Sequence, residues 1–301
     1  MIDRYLLRYF LAVIDYGNFS KAAAQCHVSQ PTLSVGIAKL EEALGRPLFR
    51  RTNRRVELTD SGVRFAVHAR RIESEFNAAE QDLGAGGATK AFRLGVLTSI
   101  PTRWIEALAA RLSPTLAHAP VSLVEGRERD LLERLTRGRI DAALTIVRPV
   151  DARFDSEILR TEGYGLALPS GHALAHMPVI AAEALADSVM IVRRHCEVLA
   201  ETSRHFTSRG VRPFFTAKTT DDSRALALVR AGFGVTVMPD CFNAEGVVRP
   251  RLAGFDFVRN LGILYPDRRD ELARHPAIEA IRQVISTIGV TSSKAAAAST
   301  E

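Results

Sequence analysis

The chain has 301 residues, enough for two or three compact units, and at 47% hydrophobic and 25% charged it has the makeup of an ordinary globular protein. Its net charge of +6 admits a polyanionic partner, and nine Lys or Arg against five Asp or Glu fall within residues 1–58. Three scattered cysteines (Cys26, Cys196, Cys241), a charged and periodic start, and no apolar run near ~20 residues argue against a disulfide scaffold, a zinc site, a secretory leader or a membrane span, and for a reducing cytoplasm.

Leu7, Phe10, Leu11 and Ile14 follow i, i+3, i+4, i+7 spacing, which predicts a first helix with one buried face. Gly17 and Asn18 end it, and Ser20 is the expected cap of a short second helix. After Cys26-His27-Val28, Ser29 caps a third helix, with Pro31 in the first turn, where a missing N–H costs little. Leu33, Ile37, Leu40 and Leu44 bury that helix, and Gly45 stops it. Leu48 and Phe49 then anchor a small hairpin, with a turn at Thr52-Asn53 and with Arg50, Arg51, Arg54 and Arg55 along it.

Thr59 is the expected cap of a long fourth helix, with Leu58 and Val63 at hydrophobic-staple positions. On that helix Phe65, Ala69, Ile72, Phe76, Ala79 and Leu83 recur in heptad steps. Such a seam predicts a dimerisation helix; packing within its own domain is the alternative. Gly84-Ala85-Gly86-Gly87 predicts a flexible break.

From Phe92 the pattern alternates. Strands are expected at 92–97, 121–124, 142–146, 163–168, 189–192, 213–217, 235–238 and 261–265. Helices are expected at 101–112, 129–137, 181–186, 197–208, 223–231 and 276–288. The alternation implies an α/β fold with largely parallel sheets. Residues 291–301 are low in complexity and are expected to be a disordered tail.

Three short helices and a basic hairpin make residues 1–58 an all-α winged helix-turn-helix, followed by a dimerisation helix and hinge over 59–90. The third helix is the expected DNA reader. Its first turn offers Ser29, Gln30, Pro31, Thr32 and Ser34, with Gln30 suited to a bidentate contact with adenine. Ser20 joins this surface, and the hairpin arginines would hold phosphates or enter the minor groove. A merely solvated basic face is the plainer alternative.

The stretch 7–62 resembles the N-terminal domain of LysR-type transcriptional regulators, on Phe10, Gly17, Phe19, Ala22-Ala23, Ser29-Gln30-Pro31, Leu33-Ser34, Leu40-Glu41, Leu48-Phe49-Arg50-Arg51 and Leu58-Thr59. Residues 129–143, 172–175 and 228–235 fit the family's sensor domain. One departure is Val35-Gly36, where many members carry a polar or basic pair; a glycine inside a helix costs about 1 kcal/mol. Operator sequence therefore does not transfer.

The resemblance implies that residues 91–290 form a two-lobed, periplasmic-binding-protein-like sensor, with lobe I at 91–161 and 266–290 and lobe II at 162–265. A small-molecule effector would sit between the lobes. Thr98, Ser99, Ile100, Thr145, Arg148, Arg193, His195, Cys196 and Thr219 lie at strand ends that face such a cleft. Helix N-termini there suit a small organic anion, although each residue taken singly is as well explained as a helix cap or a solvated loop. Peroxide-sensing members use a cysteine pair. Here Cys196 follows Arg193, Arg194 and His195, but its nearest cysteine in that region, Cys241, is 45 residues on.

Further implications are double-stranded DNA with an interrupted palindrome, RNA polymerase and other copies of the chain (a homodimer or homotetramer) as partners, and no membrane. No cofactor, metal or catalytic residue is expected. No G-x-S-x-G, H-E-x-x-H or P-loop pattern supports an enzyme, and a transporter's solute-binding protein would not need the N-terminal domain.

Overall fold

The computed structural model describes residues 1–51, 56–84, 91–148, 154–266 and 272–297, leaving aside the side chains of 51, 74, 78, 81–84 and 288–297. The chain divides into one unit of Met1–Lys90 with Glu133–Arg139 and another of Ala91–Leu132 with Ile140–Glu301.

In the first unit the chain runs α1 (Arg4–Tyr16), α2 (Phe19–Gln25), α3 (Gln30–Leu44), β1 (Phe49–Arg51), β2 (Val56–Leu58) and α4 (Asp60–Gly84). The face of α1 that enters the core is centred on Leu6, Leu7, Phe10 and Val13; Leu11 and Ile14, expected to lead it, are half-buried at its margin. Ala22, Ala23, Leu33, Ile37, Leu40 and Leu48 complete the core. The cap of α2 is Asn18 rather than Ser20. Asn18 Oδ1 accepts the N–H groups of Ser20 and Lys21 at 2.8 and 3.1 Å, so the helix starts one residue before the expected cap.

Ser29 caps α3 as expected, its Oγ accepting the Thr32 N–H at 3.2 Å, and Gly45 closes the helix at φ +64°. Gly36 is buried in the α1–α3 contact. A Cβ there would stand 2.6 Å from Tyr9 Cδ2, so the glycine serves close approach of two helices and does not face outward toward bases. Strands β1 and β2 pair antiparallel, Phe49 opposite Leu58. Glu41 Oε1 accepts the N–H groups of Leu48 and Phe49 at 2.7 and 3.1 Å and so ties this hairpin to α3. The Thr52-Asn53 turn, Arg54 and Arg55 lie outside the described residues, as does the break after Gly84. Thr59 caps α4, accepting from the Gly62 N–H at 2.9 Å; Val63 stays 55% exposed, so the expected staple to Leu58 does not bury it.

The second unit adds β3 (Phe92–Leu97), α5 (Thr102–Leu112), β4 (Val121–Gly126), α6 (Glu128–Thr136), β5 (Ala142–Ile146), β6 (Asp155–Pro169), β7 (Val179–Ile180), β8 (Val189–Arg193), α7 (Leu199–Thr207), β9 (Phe214–Thr219), α8 (Asp222–Arg230), β10 (Thr236–Pro239), β11 (Val247–Val248), β12 (Arg251–Leu252), β13 (Val258–Tyr265) and α9 (Pro276–Ala297). The main sheet has the order β10-β6-β13-β5-β3-β4. Strands β3, β4 and β5 are parallel, but β13 runs antiparallel to both β5 and β6, and β10 antiparallel to β6. The sheet is therefore mixed rather than largely parallel, because β6 carries the chain out to the second lobe and β13 carries it back. Beyond the crossing, β8 and β9 form a separate parallel pair.

Along β13, Val258–Asn260 (258–260) pairs only with β6, while Leu261 to Leu264 also pair with β5 of lobe I. The return crossing thus falls at Asn260, five residues before the expected boundary at Tyr265, whose side chain is fully buried. Ala182–Leu185 is a 3-10 turn where an α-helix was expected. Helix α9 continues to Ala297, so 291–297 is helical rather than a disordered tail, in keeping with the high helix propensity of its alanines.

Candidate functional site

The first unit presents one polar helix end. Ser29, Gln30, Pro31 and Thr32 are exposed and Ser34 is half-buried. Ser29 Oγ lies 2.7 Å from Thr32 Oγ1, and Gln30 Nε2 donates to Ser34 Oγ at 2.8 Å, so the turn is organised before any partner arrives. Its free N–H groups and dipole favour an anion. Ser20 is exposed at the start of α2, and Arg50 is exposed on β1; nothing is described of the Arg51 side chain. The arrangement can hydrogen-bond base edges from the α3 turn and hold phosphate with Arg50.

The expected seam on α4 splits. Ala69 is fully buried and Phe65 packs against its own unit's core, whereas Ile72 and Phe76 are 41% and 44% exposed and Ala79 is exposed. Leu83 is outside the described side chains. The back of this half of α4 is held by Arg4, which donates to Glu73 Oε1 at 3.0 Å and Asn77 Oδ1 at 2.8 Å and lies 4.9 Å over the Phe76 ring. Ile72, Phe76 and Ala79 are thereby left as an exposed stripe along α4.

In the second unit a buried polar cluster, where the sequence led us to expect a cleft, centres on Arg259, only 3% exposed, at the crossing of β6 and β13. Its Nε donates to Glu162 Oε1 at 2.8 Å; Nη1 donates to Ser99 Oγ at 2.9 Å and Glu197 Oε1 at 2.8 Å; Nη2 donates to Cys241 Sγ at 3.2 Å. Ser99, at the end of β3, also donates to Glu197, and the Tyr164 hydroxyl donates to Glu197 Oε2 at 3.4 Å. Burial alone would raise the Glu197 carboxyl, but Arg259 and Arg193 hold it below its ordinary value, so it is an anion in place. Burial and the nearby Glu197 push the Tyr164 phenol up, leaving it a neutral donor. A second buried pair stands alongside: Arg193 Nε donates to Asp222 Oδ1 at 2.7 Å and Nη1 to the Val237 carbonyl at 3.1 Å.

Glu197 of lobe II thus reaches Ser99 of lobe I, and two more links cross the cleft: Thr102 Oγ1 to Ser223 Oγ at 3.1 Å and Arg103 to the Asn243 carbonyl at 3.3 Å. Of the expected effector residues, Ser99, Arg193 and Cys196 join this region, Cys196 Sγ accepting from Arg193 at 3.4 Å. Ile100 is buried, and Thr145 is fully buried with no hydrogen-bond partner for its hydroxyl. His195 Nδ1 is likewise buried without a partner. Thr98 is half-buried, with its N–H donating to the Gly126 carbonyl. Arg148 is turned to Glu128, at 2.5 and 2.8 Å, and Thr219 accepts the Asp221 N–H at 3.1 Å, the role of a loop cap.

Sequence reasoning missed Glu197, Arg259, Glu162 and Tyr164. The available signal was Arg259 at the start of the mostly apolar β13; Glu162 follows a largely polar run in β6 and gave no comparable signal. The thiols also differ from expectation. Cys196 precedes α7 by three residues instead of opening it, and burial, opposed by Arg193, raises its pKa; burial pushes Cys241 up to about 12.

The family model described as the bacterial regulatory helix-turn-helix protein, lysR family, matches residues 5–63, and that of the LysR substrate binding domain matches 85–287. A probable hydrogen peroxide-inducible genes activator of Mycobacterium leprae (strain TN) is 30% identical across 93% of this chain and 94% of its own. The HTH-type transcriptional regulator ClcR of Pseudomonas putida is 29% identical across 78% and 81%. Among solved structures, HinK, a LysR family transcriptional regulator from Pseudomonas aeruginosa, matches with a TM-score of 0.54 at 20% identity, covering 95% of this chain and 99% of that one. Among the described residues no helix is long and apolar enough to cross a membrane.

Proposed function

The chain belongs to the LysR family of bacterial transcriptional regulators, and from that premise we propose which of its residues read DNA, which pair the chains and which receive the effector. As a member it is a sequence-specific DNA-binding regulator, not an enzyme, and a small-molecule effector modulates its activity. Residues 1–58 form the DNA-binding domain, 59–90 the dimerisation helix and hinge, and 91–290 the sensor, whose lobes exchange at residues 161–163 and 259–260.

The observation that carries the DNA reading is the Ser29-capped turn, with Gln30 and Thr32 exposed beside Arg50. Gln30 and Thr32 contact base edges, Ser29 and Ser34 orient them or meet phosphate, and Arg50, Arg51, Arg54 and Arg55 engage the backbone. The Ile72–Phe76–Ala79 stripe pairs two copies, which places two reading helices on an interrupted palindrome. Sensor lobes join further copies into a homotetramer, and effector binding shifts DNA bending and RNA polymerase contact by favouring one lobe arrangement.

The effector enters at Ser99 and Arg259. Every buried arginine described there already faces a carboxylate, so an organic anion binds by displacing Glu197 rather than by finding a free cation. A gel shift with the DNA upstream of the regulator's own gene, scanned over salt, tests the reading. Specific binding that falls steeply with salt supports it, and indifference to that DNA at low salt refutes it.

A further inference from the structure

Lobe II contains a cavity that the cleft does not use. It lies between α7 and the parallel pair β8–β9 and measures about 420 Å³, within the size range of small-molecule sites. The space opens to solvent along β9, where Phe215, Arg194, Arg212 and Lys218 are exposed, so a solute can enter it without any opening of the unit.

Its walls say what kind. Met190, Leu199, Phe206, Val211 and Phe215 make it apolar, and β9, which pairs only with β8, leaves Phe215 exposed along its lip. Arg194, Arg212 and Lys218 also line it, and no carboxylate does. None of these three cations has an ion-pair partner among the described residues, in contrast to Arg193, which Asp222 neutralises. Two of them stand together. The β8–β9 register sets Val192 beside Lys218, and the Arg194 N–H donates to the Thr219 carbonyl at 2.7 Å, so Arg194 and Lys218 share the C-terminal edge of the pair.

We propose that this cavity is a second ligand site, taking a free medium-chain carboxylate with its head on Arg194 and Lys218 and its chain against Phe206, Val211 and Phe215. The apolar walls bind the chain by removing it from water, and the uncompensated cations select the anionic head. The site is distinct from the cleft yet adjoins it, because the chain leaving β8 passes through Cys196 and Glu197 into α7. A ligand that fills the space under α7 fixes the segment that carries Glu197 to Ser99.

The test uses the full-length protein and decanoate, below the concentration at which it self-associates, followed by isothermal titration and by the thermal midpoint read from Trp104 fluorescence. One decanoate binds per chain and raises the midpoint, while decanol binds about tenfold more weakly. Ser203→Trp, at an exposed lining position, fills the cavity and abolishes the binding; Lys218→Glu with Arg194→Glu weakens it about tenfold and leaves decanol unchanged. Ser99→Ala still binds one decanoate per chain, with at most a modest change in affinity through the Glu197 segment. The proposal is overturned if no decanoate binds, if the charge-reversed and filled variants bind as the parent does, or if Ser99→Ala is the substitution that removes binding, since the ligand would then lie in the cleft.

Discussion

Glu197 is the most exposed test of the sensor reading. Replacing it with alanine removes a carboxylate held by Ser99, Arg259 and Tyr164, and leaves Arg259 with Glu162 alone, at 2.7 Å. Breaking a buried pair by deleting one partner costs 3–5 kcal/mol; because Glu162 remains, the loss here lies at the low end, about 3 kcal/mol. For a unit of this size that lowers the thermal midpoint by about 6–12 °C. Trp104, the only tryptophan, is buried in lobe I, so its fluorescence follows the sensor's own unfolding. Acetate supplies the missing group: at millimolar concentrations it raises the midpoint of Glu197→Ala toward that of the parent and leaves the parent and Glu197→Gln unmoved. The pH dependence has a definite sign. Glu197 is held below its ordinary value of 4.5, so its contribution is complete above that value and is lost as pH falls through the lowered one, and Glu197→Gln flattens this part of the profile. A Glu197→Ala protein that melts like the parent, or that ignores acetate, refutes the idea that the cleft holds a carboxylate-shaped vacancy filled by its own chain.

Other substitutions probe the remaining parts. Ser29→Ala removes the cap on the Thr32 N–H and costs the DNA-binding unit about 1 kcal/mol, measured by denaturant unfolding, while also weakening operator binding. Arg50→Ala weakens binding similarly on specific and non-specific DNA and lowers the slope of log K against log salt by about 1. Phe76→Asp places a charge on the exposed stripe of α4 and, on the proposed assembly, converts the tetramer to lobe-paired dimers in analytical ultracentrifugation; an undisturbed tetramer removes the stripe from the interface. Cys196→Ser keeps the parent's operator affinity with and without hydrogen peroxide, because burial holds that thiol in its neutral form.

The contrast between what the sequence foretold and what it hid follows from the range of the interactions involved. The Ser29 cap, the Gly45 stop and the strands at 92–97 and 142–146 are local, and their residues carry the signal themselves. The α2 cap was misplaced because Asn18 and Ser20 are both good cap residues, and only the extended backbone at Asn18 decides between them. The heptad seam divides in the structure between buried and exposed positions. Spacing alone cannot tell a residue facing its own core, such as Ala69, from one on the same face about two turns later that faces outward, such as Phe76. Gly36 read as a penalty within α3, but its reason lies on another helix, in the ring of Tyr9. The cleft was the least legible part, since Ser99, Glu162, Glu197 and Arg259 are brought together from four separate segments.

That assembly changes what can be concluded from charge. Arginines near strand ends suggest an anion site when counted along the sequence. In the folded sensor Arg193 is committed to Asp222 and Arg148 to Glu128, and Arg259, which the sequence did not single out, to Glu162 and Glu197. A buried cation already paired offers an incoming anion no net Coulombic gain unless the resident carboxylate leaves, and expelling Glu197 costs its bonds to Ser99, Arg259 and Tyr164. An anionic effector at the proposed site must repay that cost, which would tie its binding to release of the Glu197–Ser99 link, one of the three described between the lobes. A neutral effector would leave the link intact. On the proposed placement of the effector at Ser99 and Arg259, its charge state would determine whether binding breaks the Glu197–Ser99 contact or leaves it in place.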